Sequence, residues 1–182
     1  PFRKTLSAGF VVGLSGNLGF THDPEIVFEA ARLLKDQPEI HFLLSGWGIG
    51  FDRLKQLQAE AKLANVTFVA RVEDAELEAF LAAANLWIIP YRKDVAGVSV
   101  PSRFYNLLAV GRPVALVSEP EAEAALTVVE NGLGWVVKPG RADLLADAIR
   151  VASRSDADAM TGRAVKAAAQ FDRTVAMNAY AG

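Results

Sequence analysis

Along its length the chain alternates short apolar runs with longer stretches whose apolar positions recur at the helical period. The runs are Gly9–Leu14, His41–Ser45, Val66–Ala70, Leu86–Pro90, Pro113–Val117 and Gly134–Val137. Most are nearly continuous in valine, isoleucine, leucine and phenylalanine, the pattern of strands covered on both faces. Between them the spacing predicts helices near Pro24–Lys35, Phe51–Leu63, Asp74–Ala84, Ser102–Val110, Glu121–Glu130 and Arg141–Ser153. The Ala-rich stretch Asp156–Gln170 predicts a further helix, and Phe171–Gly182 a frayed or packed tail. Strand–helix alternation implies βαβ units with right-handed crossovers, hence a parallel sheet. The expectation is one doubly wound, Rossmann-like α/β domain with a parallel sheet of about six strands and helices on both faces. No internal repeat, low-complexity tract or linker divides it.

Composition narrows the class without changing that picture. The chain has 182 residues, 52% of them hydrophobic and 22% charged. That length suits one ordinary domain and buries roughly two-thirds of the surface the unfolded chain exposes. Disordered chains are poor in apolar residues and heavily charged, so intrinsic disorder is excluded. With 19 basic and 21 acidic side chains the formal net charge is −2, and no whole-surface attraction to nucleic acid or anionic lipid is expected. The absence of cysteine excludes a disulfide framework and thiolate metal sites, and fits a reducing compartment. The longest apolar stretch, Phe80–Pro90, is interrupted by Asn85 and too short to span a bilayer. After Pro1-Phe2-Arg3-Lys4, the residues Ser7, Gly13 and Ser15 break any apolar core, so no secretory leader is expected. The first residue is not methionine, and the chain is expected to be a piece of something longer.

In doubly wound sheets ligands sit outside the carboxyl ends of the strands, which directs attention to the loops there. These read Ser15-Gly16-Asn17-Leu18-Gly19, Ser45-Gly46-Trp47-Gly48, Arg71-Val72 and Tyr91-Arg92-Lys93. The last of them runs on through Gly97-Val98-Ser99-Val100-Pro101-Ser102-Arg103. Glycine and positive charge together suit an anionic small molecule. Gly16-Asn17-Leu18-Gly19 precedes a marked helix start, with Asp23 as cap, Pro24 at the first helical position and Glu25 at the positive end of the dipole. Such a turn serves equally as a tight bend or as a place where backbone amides approach a ligand. The glycines Gly13, Gly16 and Gly19 are spaced by threes, which is not the dinucleotide fingerprint, and no phosphate-loop Gly-Lys-Ser/Thr is present.

The helix opening at Ser102 is more informative. Ser102 offers a hydroxyl and an amide, and Arg103 a planar fork of donors suited to phosphate oxygens. A cation at the positive end of a helix is unfavourable unless an anion lies between them. Helical spacing sets Asn106 and Val110 near the face of Arg103 and turns Phe104, Leu107 and Leu108 inward. Trp47, between two glycines, is expected to cover the sheet end rather than stack on a ring. Lys93 and Asp94 read as solvated loop charges, His22 as a local capping group, and His41 as packed or paired within its strand. No metal-ligand spacing joins the two histidines, and no Ser-His-Asp or Cys-His arrangement can be built.

The sequence resembles the carboxy-terminal, nucleotide-sugar-binding half of GT-B glycosyltransferases, in particular the retaining enzymes of family 4, group 1. The resemblance runs from Ser15-Gly16-Asn17-Leu18-Gly19 through Phe42-Leu43-Leu44-Ser45-Gly46-Trp47-Gly48 and Val66-Thr67-Phe68-Val69. It continues at Leu107-Leu108-Ala109-Val110-Gly111-Arg112-Pro113-Val114 and ends with Glu130-Asn131-Gly132-Leu133-Gly134-Trp135-Val136-Val137-Lys138-Pro139. Pro101-Ser102-Arg103 is similar to the subgroup that assembles bacterial surface polysaccharides. The chain departs from the family at two places. Its paired glutamates correspond here to Val98 and Asn106, so the sugar contact is lost or supplied elsewhere, while Asn106 can still bind a ribose diol. Asn17 stands where an arginine would hold the diphosphate, which shifts that load to Ser102 and Arg103.

What the resemblance implies is transfer of a sugar, with retention, from a nucleotide diphosphate sugar to an acceptor hydroxyl. Arg103 is the expected catalytic residue through leaving-group stabilisation, and the Ser102 amide and hydroxyl bind the phosphates beside it. The remaining substrate contacts fall to Gly16, Asn17 and Gly19 at the first loop, Gly46 at the second, the backbone of Arg71 and Val72 at the base, Ser99, and Asn106 at the ribose. No metal and no cofactor are implied. The partners are the nucleotide-sugar donor and an amino-terminal acceptor domain missing from residues 1–182, without which the chain is expected to turn over poorly. Localisation is expected to be cytoplasmic, peripheral to the inner membrane face only through missing parts or a lipid-linked acceptor. Two rivals stand beside this: half of a GT-B-fold nucleotide-sugar epimerase, and a non-catalytic nucleotide or phosphate binding module.

Overall fold

The computed structural model describes residues 2, 3, 6, 9–95, 102–155 and 160–169, without the side chains of 102 and 103. The strands are β1 (Phe10–Asn17), β2 (Ile40–Trp47), β3 (Val66–Val69), β4 (Leu86–Pro90), β5 (Val114–Val117) and β6 (Gly134–Val137). The helices are α1 (Pro24–Leu33), α2 (Ile49–Ala61), α3 (Asp74–Leu81), α4 (Ser102–Ala109), α5 (Glu123–Glu130) and α6 (Ala142–Ser153). A further helix covers residues 160–169, inside the predicted Asp156–Gln170; residues 156–159 and the predicted tail lie outside the described residues. The strands form one six-stranded sheet in the order β3-β2-β1-β4-β5-β6, every pair parallel. The doubly wound architecture is therefore as expected.

Each strand feeds two cores, which explains its unbroken apolar run. Val12, Leu44, Ile88 and Val117 pack under α1, α2 and α6 with Phe28, Phe51 and Ile149. Their neighbours Val11, Leu43, Trp87 and Leu116 point the other way, to Phe80 of α3, Phe104 of α4 and Val128 of α5. Trp87 is fully buried, and its indole N–H donates to the Leu81 carbonyl at 2.9 Å. Gly13 leaves the room for its ring, since a Cβ there would lie 2.6 Å from the indole. The α1 start is built as its sequence implies: Asp23 Oδ1 accepts from the amides of Glu25 (3.1 Å) and Ile26 (3.3 Å), ahead of Pro24.

The ends of β1 and β2 differ from expectation. Both strands run past their apolar residues, pairing Ser15 with Ser45, Gly16 with Gly46 and Asn17 with Trp47. Serine, glycine and asparagine are weak strand formers, so the extension is set by the cross-strand register and not by local preference. His22 also departs from its expected role, because Asp23 caps α1. Instead His22 Nδ1 lies 3.2 Å from Thr21 Oγ1, and its ring packs on Tyr91 at 5.4 Å. His41 is paired: Nε2 lies 2.8 Å from Thr67 Oγ1 across β2 and β3, and burial holds its pKa below the ordinary value. Among the described residues no helix is long and apolar enough to cross a membrane.

Candidate functional site

The strand order reverses between β1 and β4, so the crevice of this sheet opens at their carboxyl ends. The backbone there is tied down. His22 and Tyr91 form an antiparallel bridge, the Asp23 amide donates to the Pro90 carbonyl (2.8 Å) and the Arg92 amide to the Thr21 carbonyl (2.9 Å). Arg92 Nε adds a 2.7 Å bond to the His22 carbonyl. The loops after β1 and β4 therefore form one unit at the switch point.

Two cavities open on opposite sides of this edge. One, about 240 Å³, lies toward α3 and α4 and is lined by Gly16, Gly46, Arg71, Val72 and Asn106, together with Ser15, Ser45, Trp47, Asp74, Leu77 and Leu81. Five of the residues picked from sequence thus converge, from β1, β2, the loop after β3 and α4. Ser45 Oγ donates to the Ala70 carbonyl at 3.0 Å and fixes the turn that presents Arg71. On α4, Phe104, Leu107 and Leu108 are buried as expected, and Asn106 is left exposed toward the cavity.

The other cavity, about 670 Å³, lies over the starts of α1 and α2 and takes Gly19 with Ile49, Arg53, Arg92 and Lys93. Gly19 is therefore separated from Gly16, because the chain crosses the sheet edge between them. Charge in this larger cavity is already partly compensated: Arg53 Nε meets Glu25 Oε1 at 2.9 Å, and Asp23 is occupied in capping. Asn17 lines neither cavity; it is exposed, with its amide oxygen beside Gly48. Ser99 lies outside the described residues. Ser102 opens α4 and Arg103 follows in its first turn.

Trp47 was not expected at the site. Its indole, 45% exposed, stands at the cavity wall, with the Arg71 Cζ 4.5 Å from the ring centroid. The sequence signal was an aromatic residue flanked by glycines just past a strand, but its partner comes from a different loop. Among the described residues no three histidine, aspartate or glutamate side chains are grouped to hold a metal ion.

A family model for glycosyl transferases group 1 matches residues 4–170 of the chain. The chain belongs to that family. It is similar to the probable glycosyltransferase WbjE of Pseudomonas aeruginosa, 28% identical over 147 residues, which are 81% of this chain and 36% of the relative. It is also similar to the putative colanic acid biosynthesis glycosyl transferase WcaI of Escherichia coli K12, 30% identical over 143 residues, 78% of this chain and 35% of the relative. The chain thus spans about a third of the length of these curated relatives. Among solved structures, the C-terminal domain of the group 1 protein LpcC from Francisella tularensis superposes with a TM-score of 0.73 at 16% identity, over 92% of this chain and 88% of that one. HepE of Anabaena, solved with UDP and glucose, gives a TM-score of 0.65 at 21% identity over 96% of this chain and 50% of its own. The fold of this group 1 glycosyl transferase chain is the GT-B, Rossmann-like fold that its motifs imply.

Proposed function

We propose that residues 1–182 are the nucleotide-sugar-binding domain of a retaining glycosyltransferase whose acceptor domain lies elsewhere in a longer protein. The observation that carries this reading is the convergence of Gly16, Gly46, Arg71, Val72 and Asn106 on one cavity at the carboxyl ends of β1–β3. The base borders Arg71 and Val72, and Asn106 takes the ribose hydroxyls through an amide that both donates and accepts. Ser102 and Arg103, at the start of α4, hold the diphosphate, where the helix dipole also favours negative charge.

In the reaction the bond from the anomeric carbon to the diphosphate oxygen breaks, a bond to the acceptor oxygen forms on the same face of the sugar, and the acceptor hydroxyl gives up its proton to the departing diphosphate oxygen. Negative charge grows on the departing diphosphate, so donors already aimed at it gain strength as the bond breaks. The HepE structure holding UDP and glucose supports a donor of this chemical class. On the same reading the protein works in the cytoplasm, and any membrane contact is made beyond this chain or through a lipid-linked acceptor.

Calorimetric titration of the chain with UDP, uridine and phosphate tests the reading. UDP is expected to bind more tightly than either part, and Asn106→Leu to weaken it about tenfold, the worth of one lost net hydrogen bond. UDP binding no tighter than phosphate would favour a plain phosphate-binding module instead.

A further inference from the structure

Resting on the nucleotide-binding reading above, we propose that Arg71 selects the base and that Trp47 is the positioning residue that holds it, favouring uracil or guanine over adenine. Trp47 is placed by the last register pair of β1 and β2, opposite Asn17. Gly46 and Gly48 flank it, so no neighbouring side chain in the sequence covers its ring. The Arg71 guanidinium lies 4.5 Å from the indole centroid, and both side chains line the same cavity.

The indole is the partner that the described residues supply to this guanidinium; they give it no hydrogen bond and no ion pair. A guanidinium over an aromatic face is attracted through the ring quadrupole and keeps its N–H donors free at the edge of its plane. Arg71 thus arrives at the cavity with its long side chain restrained and its donors unshared. Left without the indole, the same side chain would have to be ordered by the ligand, and affinity would fall.

Base chemistry then decides what fits. Uracil presents carbonyl oxygens and guanine presents O6 and N7, all acceptors for such a fork, whereas adenine offers an amino donor at the matching edge. Leu77 and Leu81 of α3 line the cavity with apolar surface, so a donor facing a donor there is poorly relieved by water. Discrimination among bases therefore comes from a pair 24 positions apart in sequence, brought together by the β2–β3 pairing and the Ser45–Ala70 hydrogen bond.

The test is titration of the 182-residue chain with UDP, GDP and ADP, by calorimetry and by tryptophan emission. Trp87 is fully buried and Trp135 is partly buried against the α1–α2–α6 core, so the most solvent-exposed component of the emission is assigned to Trp47, the most exposed of the three indoles. UDP and GDP are expected to bind at least about tenfold more tightly than ADP and to quench that component. Arg71→Ala should bring the UDP-to-ADP ratio to within about threefold, Trp47→Leu should do nearly the same, and Trp47→Phe should restore it by keeping an aromatic face. A ratio unchanged in Arg71→Ala or Trp47→Leu, or ADP binding as tightly as UDP to the unaltered chain, would overturn the proposal and leave the nucleotide site standing. Failure of all three nucleotides to bind would overturn the functional reading itself, and this inference with it.

Discussion

Gly46→Ala is expected to destabilise the chain by about 1–3 kcal/mol and to abolish measurable UDP binding. A Cβ at Gly46 would collide with the backbone carbonyl oxygen of Gly16, its register partner across β1 and β2. The obstacle is main chain, so no side-chain rotation relieves it, and the two strands must spread apart. They would spread at the place where Ser15, Gly16, Ser45 and Trp47 build the cavity wall, so stability and binding fall together. Gly19→Ala is the natural control. A Cβ there meets nothing within 4 Å, and its stability should change by no more than about 0.5 kcal/mol. Urea unfolding and calorimetry of the two variants measure both effects; unaltered stability and binding in Gly46→Ala would contradict the close approach of β1 and β2.

The same strand ends mark where sequence reading ran out. The interior of the sheet was legible because every strand packs against helices on both faces, so continuous apolar runs such as Leu86–Pro90 had no competing explanation. Ser15-Gly16-Asn17 and Gly46-Trp47 carry no such signal, and only their mutual pairing makes them strand. The site shows a similar division. Gly16, Gly46, Arg71, Val72 and Asn106 could be picked out loop by loop because each follows a strand or rides the helix beside it. Gly19 lines the other cavity, a separation that no local pattern shows, because three residues of loop suffice to carry the chain to the other side of the sheet edge. The Trp47–Arg71 stack was hidden for a different reason: it depends on how β2 and β3 align, which no local pattern encodes.

Arg103→Ala should weaken UDP about 10- to 100-fold while changing uridine by no more than about threefold. The range is the worth of a charge-assisted hydrogen bond, about 1.5–3 kcal/mol. The helix fixes the logic. Phe104, Leu107 and Leu108 are buried with no measurable exposure, so the register of α4 assigns its core-facing positions and leaves 103 and 106 three apart on its flank. A guanidinium in the first turn opposes the helix dipole until an anion lies between them, and a diphosphate supplies that anion. Equal losses for UDP and uridine would mean that Arg103 supports the fold of the site and not the phosphates. Because the contact is ionic, the difference between the variant and the parent chain should also narrow as salt is raised.

The claim beneath these expectations is that the smaller cavity, toward α3 and α4, is the one that takes the nucleotide, although the other is wider. Backbone amide shifts of the isotopically labelled chain during titration with UDP read this directly, residue by residue. The account predicts that the largest changes fall at Gly16, Gly46, Trp47, Arg71, Val72 and Asn106. Changes gathered instead at Gly19, Ile49, Gly50, Arg92, Lys93 and Gly140, with the first group unmoved, would contradict it.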